Sequence, residues 1–358
     1  MLAAWCFGSS GASAVEIASK AAKIKITGSV HTQFNTSSVD GELGSEFLIR
    51  RARLTAEVKI NDFVSGKVQP DYGEGELSLK DAYMKLTYGP NLAFRIGQFK
   101  RPFDVFELTS STEMLVVERA LKIRGVSRLR SHSSLTEKLG FSDRDIGVEI
   151  AVADEDGRFS LTGAVTNGTG AGKVPGRTDG AIGEKQYTAR LTVSPIDERD
   201  ITLAVAGSLR PYEVRAATIA GDDNPAVEHA PAVQADLEIG NFEAGPHAQV
   251  GVVLGENWDA RVADASSAPS FAAAQVIGAY KFRARPNLYV EAVEPLVRVG
   301  YADPNDDVAD DGGYQITPGL QVFFSGRNKI ALNVDIFLPE AVGEDTEYSI
   351  KAQSSMYF

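Results

Sequence analysis

Apolar and polar residues alternate along most of this chain, most legibly over residues 47–60, FLIRRARLTAEVKI. One parity holds Leu48, Ala52, Leu54, Ala56, Val58 and Ile60, interrupted only by Arg50, and the other holds Arg51, Arg53, Thr55, Glu57 and Lys59. Alternation with period two puts an oily face and a charged face on one β-strand. A sandwich accounts for one such strand as well as a barrel wall does, so repetition decides. The pattern recurs over 23–34, 63–71, 76–88, 92–98, 145–152, 159–165, 184–193 and 201–209. It continues over 233–239, 242–254, 272–285, 288–301, 314–324, 328–338 and 346–358, making sixteen predicted strands in all.

The connections alternate too. Short turns such as Asn61-Asp62, Gly89-Pro90-Asn91 and Gly240-Asn241 interleave with long acidic or glycine-rich loops at 168–183, 210–228, 256–270 and 302–313. Tight turns suit antiparallel neighbours. Short turns at one end, long loops at the other and an even number of strands form the signature of a bacterial outer-membrane barrel. The fold class expected is therefore all-β, a transmembrane antiparallel β-barrel of about 16 strands. Over 100–144 the alternation stops. There Ser110, three residues before Glu113, has the form of a capping box, and Met114, Val117, Leu121 and Ile123 make an uneven apolar stripe. That combination predicts a helix over 110–124, in a loop too apolar to be a solvated tail and long enough to be functional.

Composition agrees with a barrel. No apolar run is long enough for a spanning helix, so a membrane-crossing form of this chain has to be built of strands. A net charge of −12 argues against a nucleic-acid partner. The sole cysteine, Cys6, supports neither a disulfide framework nor a cysteine metal site. Residues 1–14, MLAAWCFGSSGASA, read as the end of a secretory signal, with cleavage expected after Ala14 and the barrel occupying 15–358. The basic segment that opens such signals is missing, so the translated start is expected further upstream. His31, His132, His229 and His247 lack metal-ligand spacing. The glycine-rich stretch 163–172 lacks the lysine and context of a phosphate loop, and the serines lack a nucleophile elbow. Neither cofactor nor enzymatic activity is expected. A barrel hydrolase with a Ser-His-acid set at its rim is the enzyme alternative.

The segment 49–119 resembles the phosphate-selective porin family of the porin O and P type. The likeness rests on Arg51-Ala52-Arg53, Asp81-Ala82-Tyr83, Arg95-Ile96-Gly97-Gln98-Phe99-Lys100, Pro102-Phe103, Glu107-Leu108-Thr109-Ser110-Ser111 and Glu118-Arg119, in the family's order. The resemblance implies a homotrimer of sixteen-stranded barrels in the bacterial outer membrane, among its lipids. It also implies that the third loop folds into the pore, with residues 110–130 at the constriction. The C-terminal Phe358 resembles the signal that such barrels present to the barrel assembly machinery.

A pore passing phosphate, polyphosphate or other small anions needs fixed cations that replace lost hydration without trapping the ion. Arg51, Arg53, Lys59, Lys67, Lys85 and Arg95 fall on the wet parity of neighbouring strands and face Arg119, Lys122 and Arg124 of the loop as candidate anion contacts. The bland alternative pairs these cations with Glu57, Asp71, Asp81, Glu107, Glu113 and Glu118. The outer loops carry Asp222, Asp223, Asp303, Asp306, Asp307, Asp310, Asp311, Glu344 and Asp345, a rim that repels anions at low salt. A general diffusion porin, or a barrel with a binding or adhesive role through these loops, are the alternatives to an anion channel.

Overall fold

The computed structural model describes residues 15–18, 22–39, 42–123, 126, 129–173, 183–196, 200–214, 227–240, 242–262, 265–284 and 289–358. The expected cleavage segment 1–14, and Arg124, Asp222 and Asp223, lie outside the described residues. The strands are β1 Val15–Ala18, β2 Lys23–Val39, β3 Glu42–Lys59, β4 Val64–Asp71, β5 Ser78–Tyr88 and β6 Leu92–Lys100. After the long loop come β7 Arg144–Ala153, β8 Phe159–Thr166, β9 Gln186–Ile196, β10 Ile201–Glu213, β11 Val227–Ile239 and β12 Gly245–Glu256. The wall finishes with β13 Ser270–Arg283, β14 Ala292–Asp303, β15 Gly313–Ser325, β16 Asn328–Pro339 and β17 Glu347–Tyr357.

Each strand from β2 onward pairs antiparallel with the next, and β17 closes the sheet on β2 through Ser349↔Ser37 to Tyr357↔Ser29. Phe358 and Gly28 then exchange backbone hydrogen bonds of 3.0 and 2.7 Å. Beyond that point β1 takes over the edge of β2, from Val15↔Ile26 to Ala18↔Lys23. β1 thus prolongs β17 in one strand position, and the closed barrel is sixteen-stranded.

The wall is inside out compared with a soluble protein. Gln33, Gln98, Gln186, Gln234, Gln275 and Gln353 are buried on the lumenal parity, while Leu54, Met84, Ile96, Ile150, Leu191 and Val205 are exposed on the other. Such an apolar band is stable only against hydrocarbon. Aromatic side chains mark its two edges. Phe63 and Tyr88 stack edge-on at 4.6 Å beside the short turns, and Tyr301 and Tyr314 sit 5.0 Å apart toward the long loops, as in the belts that anchor barrels at the lipid interfaces.

Two features depart from simple alternation. β2 and β3 continue through 35–39 and 42–46, making the first hairpin longer than the sequence pattern indicates. Polar residues on both parities, such as Asn35, Thr36, Ser45 and Glu46, hide the period there. The second is a β-bulge, where His31 faces Arg51 but Thr32 already faces Ile49. Arg50 is the extra residue, so Arg50 and Arg51 both turn toward the lumen. Beyond the bulge the faces exchange: Phe47 and Ile49 point outward and Leu48 lines an interior cavity, correcting the single oily parity read for 47–60.

The loop 100–144 folds into the barrel, with two short helices, α1 Val105–Leu108 and α2 His132–Lys138. The helix expected over 110–124 does not form over its described residues, 110–123; 111–113 form a turn and 114–123 an irregular segment. Wall side chains satisfy the backbone that a helix would otherwise have bonded to itself. Val117 N–H donates to Asn333 Oδ1 at 2.6 Å, Lys329 Nζ to the Met114 carbonyl at 3.0 Å, and Arg298 Nη1 to the carbonyls of Glu118 and Arg119 at 2.9 Å each. The capping box does not form, because the Ser110 hydroxyl meets Thr112 and the Glu113 carboxylate pairs with Arg327 at 2.7 Å.

The loop's apolar residues supply the protein's core. Phe103, Leu135, Leu139 and Phe141 pack on Ala206, Ala230, Val253 and Phe271 of the wall; Phe106 and Leu115 pack on Ile277 and Leu296; Leu121 and Ile123 pack on Phe337. The loop thereby leans on the wall from β9 round to β17. A crescent remains open between the loop and β3 to β9, and on the short-turn side a cavity of about 680 Å³ opens between residues 112–114 and β13 to β16.

Candidate functional site

The crescent holds a cavity of about 480 Å³ lined by Arg53, Lys67, Arg95, Lys100, Arg119, Arg144 and Arg190 against Asp81 and Glu149. Seven cations thus face two carboxylates. Including Asp71, Glu107, Asp143 and Asp236, which pair with these cations from behind, there are seven against six, an excess of one. The cations are held by geometry. Arg53 Nε donates to Asp71 at 2.7 Å and its Nη1 to Ser111 Oγ at 3.0 Å, so it links wall to loop. Asp81 sits between Lys67 Nζ, 2.9 Å away, and Arg144 Nε, 2.7 Å away. Arg95 pairs with Glu149 at 3.0 Å and lies over the rings of Tyr83 and Phe99.

Glu107 is the hub under the loop. Lys100 Nζ, Arg119 Nε and Arg144 Nη1 surround its carboxylate at 3.4, 3.5 and 3.8 Å. Burial alone would raise its pKa, but Arg119, Lys100 and Arg144 together bring it down to about 2. Arg119 also donates to the carbonyls of Phe106, at 2.6 Å, and Thr109. Arg119 and Arg144 keep guanidinium donors to spare, whereas the Lys100 ammonium is taken up by the carbonyls of Glu107, Leu108 and Thr109. The group can therefore hold a passing oxyanion while its scaffold stays neutralised.

A second cavity, about 540 Å³, lies on the long-loop side and contains Arg50, Lys122, Glu74 and Glu118. Arg50 grips Glu118 with a two-pronged contact, Nη2 to Oε2 at 3.0 Å and Nε to Oε1, and also reaches Glu74 at 3.2 Å. Lys122 Nζ lies 3.6 Å from Glu74 and 3.9 Å from Glu118. Burial opposes ionisation of Glu118, yet Arg50, Lys122 and Arg51 hold its carboxyl well below the usual carboxylate range.

Of the residues expected from sequence, Arg53, Lys67, Arg95 and Arg119 meet in the 480 Å³ cavity, and Lys122 lines the outer one. Arg51 is buried on the wall, its Nη1 3.3 Å from His31 Nδ1. Lys59 lies apart, in an exposed pair with Asp62 at 2.7 Å. Lys85 is half-buried opposite Arg95 in the β5–β6 register but outside the cavity lining. Arg124 lies outside the described residues.

Sequence reasoning missed Arg50, Lys100, Arg144, Arg190 and Arg298. Lys100 and Arg144 are register partners that close the strands on either side of the loop, and their flanking positions were the available signal. Arg190 stood on a wet parity without a partner to suggest its role. Arg50 was hidden by the bulge.

Comparison with known proteins agrees with this architecture. Residues 24–221 match the family described as phosphate-selective porin O and P. No curated protein matches the sequence. Among solved structures, the fold is similar to an anion-selective porin from Comamonas acidovorans (TM-score 0.64, 10% identity, covering 94% of this chain and 100% of that one). It is also similar to the outer-membrane channel DcaP of Acinetobacter baumannii (0.60, 15%, 95% and 99%) and to a trimer form of OmpT of Vibrio cholerae (0.58, 11%, 94% and 100%). With a family match over more than half of its length and a closed sixteen-stranded wall around an inward-folded loop, the chain belongs to the phosphate-selective porin O and P family, as a channel of the bacterial outer membrane.

Proposed function

We propose that this channel passes small hydrophilic anions by diffusion and that phosphate or polyphosphate is the favoured cargo. The observation carrying this reading is the cavity beside the pore loop, where seven cations face two carboxylates. Guanidinium and ammonium donors replace the hydration that an oxyanion loses on entry, and the shared carboxylates keep binding weak enough for release. Small anions are the partners, and the family's selectivity points the same way. The assembly we infer is a homotrimer, the state in which OmpT has been solved; cross-linking of the purified protein tests it. Phe358, which ends the strand next to Gly28, serves in this reading as the contact for the barrel assembly machinery.

The deciding experiment is the reversal potential of the purified protein in a planar bilayer under a salt gradient, followed by addition of phosphate. An anion-signed potential with phosphate blocking the chloride current supports the proposal. A potential near zero or of cation sign, without block, refutes it in favour of general diffusion, a reading that the acidic rim and the pairing of most lumenal cations favour.

A further inference from the structure

We propose that Glu118 is a tethered counter-anion: it occupies an oxyanion station formed by Arg50 and Lys122, and an incoming oxyanion enters by exchanging with it. This rests on the anion-channel reading and adds a determinant of specificity at the outer side of the constriction.

The station is assembled by features with separate origins. The β-bulge brings two successive arginines to the lumen where strict alternation allows one. Of the two, Arg50 lines the outer cavity, while Arg51 is turned to His31 on the wall. Lys122 comes from the loop, at i+4 from Glu118, whose backbone carbonyl is fixed by Arg298. Into this group the loop inserts a carboxylate that is 3% exposed. The planar fork of Arg50 meets both oxygens of Glu118, the geometry by which guanidinium recognises free carboxylate and phosphate.

Glu118 therefore stands where a permeating oxyanion would find its best donors. A halide offers no pair of oxygens and competes poorly for the fork, whereas phosphate matches it. With the tether in place the station stays neutralised and the outer cavity holds few free cations. Glu74, the other carboxylate that pairs with Arg50, is half-exposed and satisfies Arg50 from solvent without occupying the site, and Glu46, also on the cavity lining, is bonded to Asn35.

The test measures reversal potential and block of chloride current by inorganic phosphate for the full-length protein and for Glu118→Gln, Glu74→Gln, Arg50→Gln and the Arg50→Gln/Glu118→Gln double variant. Releasing the station exposes a charge-assisted site, so Glu118→Gln is expected to raise anion preference and lower the half-blocking phosphate concentration about tenfold. Glu74→Gln shifts both less, and adding Arg50→Gln to Glu118→Gln removes most of the gain, because the two side chains act as one unit. A Glu118→Gln channel with higher conductance but unchanged phosphate block would reduce Glu118 to a latch and overturn the proposal. Should that variant fail to assemble, Glu118→Asp, too short for the two-pronged contact, is expected to lower the half-blocking concentration by a smaller factor, and unchanged block there also overturns it. A parent protein without anion preference refutes the channel reading itself, whereas an anion-selective parent with unaltered variants refutes only the role of Glu118.

Discussion

Arg298 and Arg50 hold the same residue from two stretches of wall: Arg298 donates to the backbone carbonyl of Glu118 at 2.9 Å, and Arg50 grips its carboxylate. The loop is thus suspended inside the barrel from two stretches of wall. Arg298 is fully buried and also bonds Asp335 at 2.7 Å, which in turn contacts Lys351. Replacing Arg298 with Met removes one partner of a buried charge network, with an expected cost of about 3–5 kcal/mol. It also frees the loop, so a lower thermal midpoint should accompany larger and noisier single-channel conductance.

Arg119 and Lys122 differ in exposure, and their charge reversals should differ accordingly. Arg119 lines the inner cavity beside Glu107, whereas Lys122 is about one-third exposed in the outer one. Arg119→Glu places two carboxylates together at the constriction and is expected to change the anion-to-cation permeability ratio on the order of tenfold toward cations. Lys122→Glu should act in the same direction but more weakly, and a salt-gradient reversal potential distinguishes the two.

The acidic rim gives the channel a pH dependence separate from its constriction. Burial and the neighbouring Asp303 raise the pKa of Asp311 to about 6. Because this folded-state value lies above that of an ordinary carboxyl, the native loop is relatively stabilised as pH falls through about 6 and sheds a negative charge there. Glu107, held near 2, keeps its charge over the same range. Anion preference at low salt should therefore rise between pH 7 and pH 5, fade at high salt as screening shortens the reach of the rim, and rise less in Asp311→Asn.

Gly251 seats the loop on β12. A Cβ at that position would lie 2.6 Å from the Phe106 ring and 3.3 Å from His132 Nε2. Gly251→Val overfills this contact, costing about 1–3 kcal/mol, and pushes α1 and α2 toward the open crescent. Faster protease cleavage within 100–144 together with reduced conductance is the expected outcome.

The wall was legible in the sequence because lumen and lipid impose opposite demands on adjacent residues. Leu54 beside Thr55, or Ile96 beside Arg95, records that demand with no knowledge of partners. Loop 100–144 obeys no such local rule. Its apolar stripe looked helical because Met114, Val117 and Leu121 are all buried, but they are buried by the wall and by side chains hundreds of residues away, such as Asn333 and Gln321. The candidate site was half legible for the same reason. Arg53, Lys67 and Arg95 follow from parity, whereas Arg298 gains its role only from where the loop comes to rest, and Lys85, on the wet parity, stays outside the cavity.

The bulge at Arg50 has an evolutionary consequence. A substitution in a barrel strand can exchange one pore residue for another, but a one-codon insertion that bulges inward adds a pore residue while every lipid-facing side chain keeps its place. Removing one of the two arginines would return β3 to strict alternation, with Ile49 and Ala52 still facing outward. A lineage carrying this wall can therefore gain or lose a charge in its channel through a single small insertion or deletion, without renegotiating the contact with the membrane.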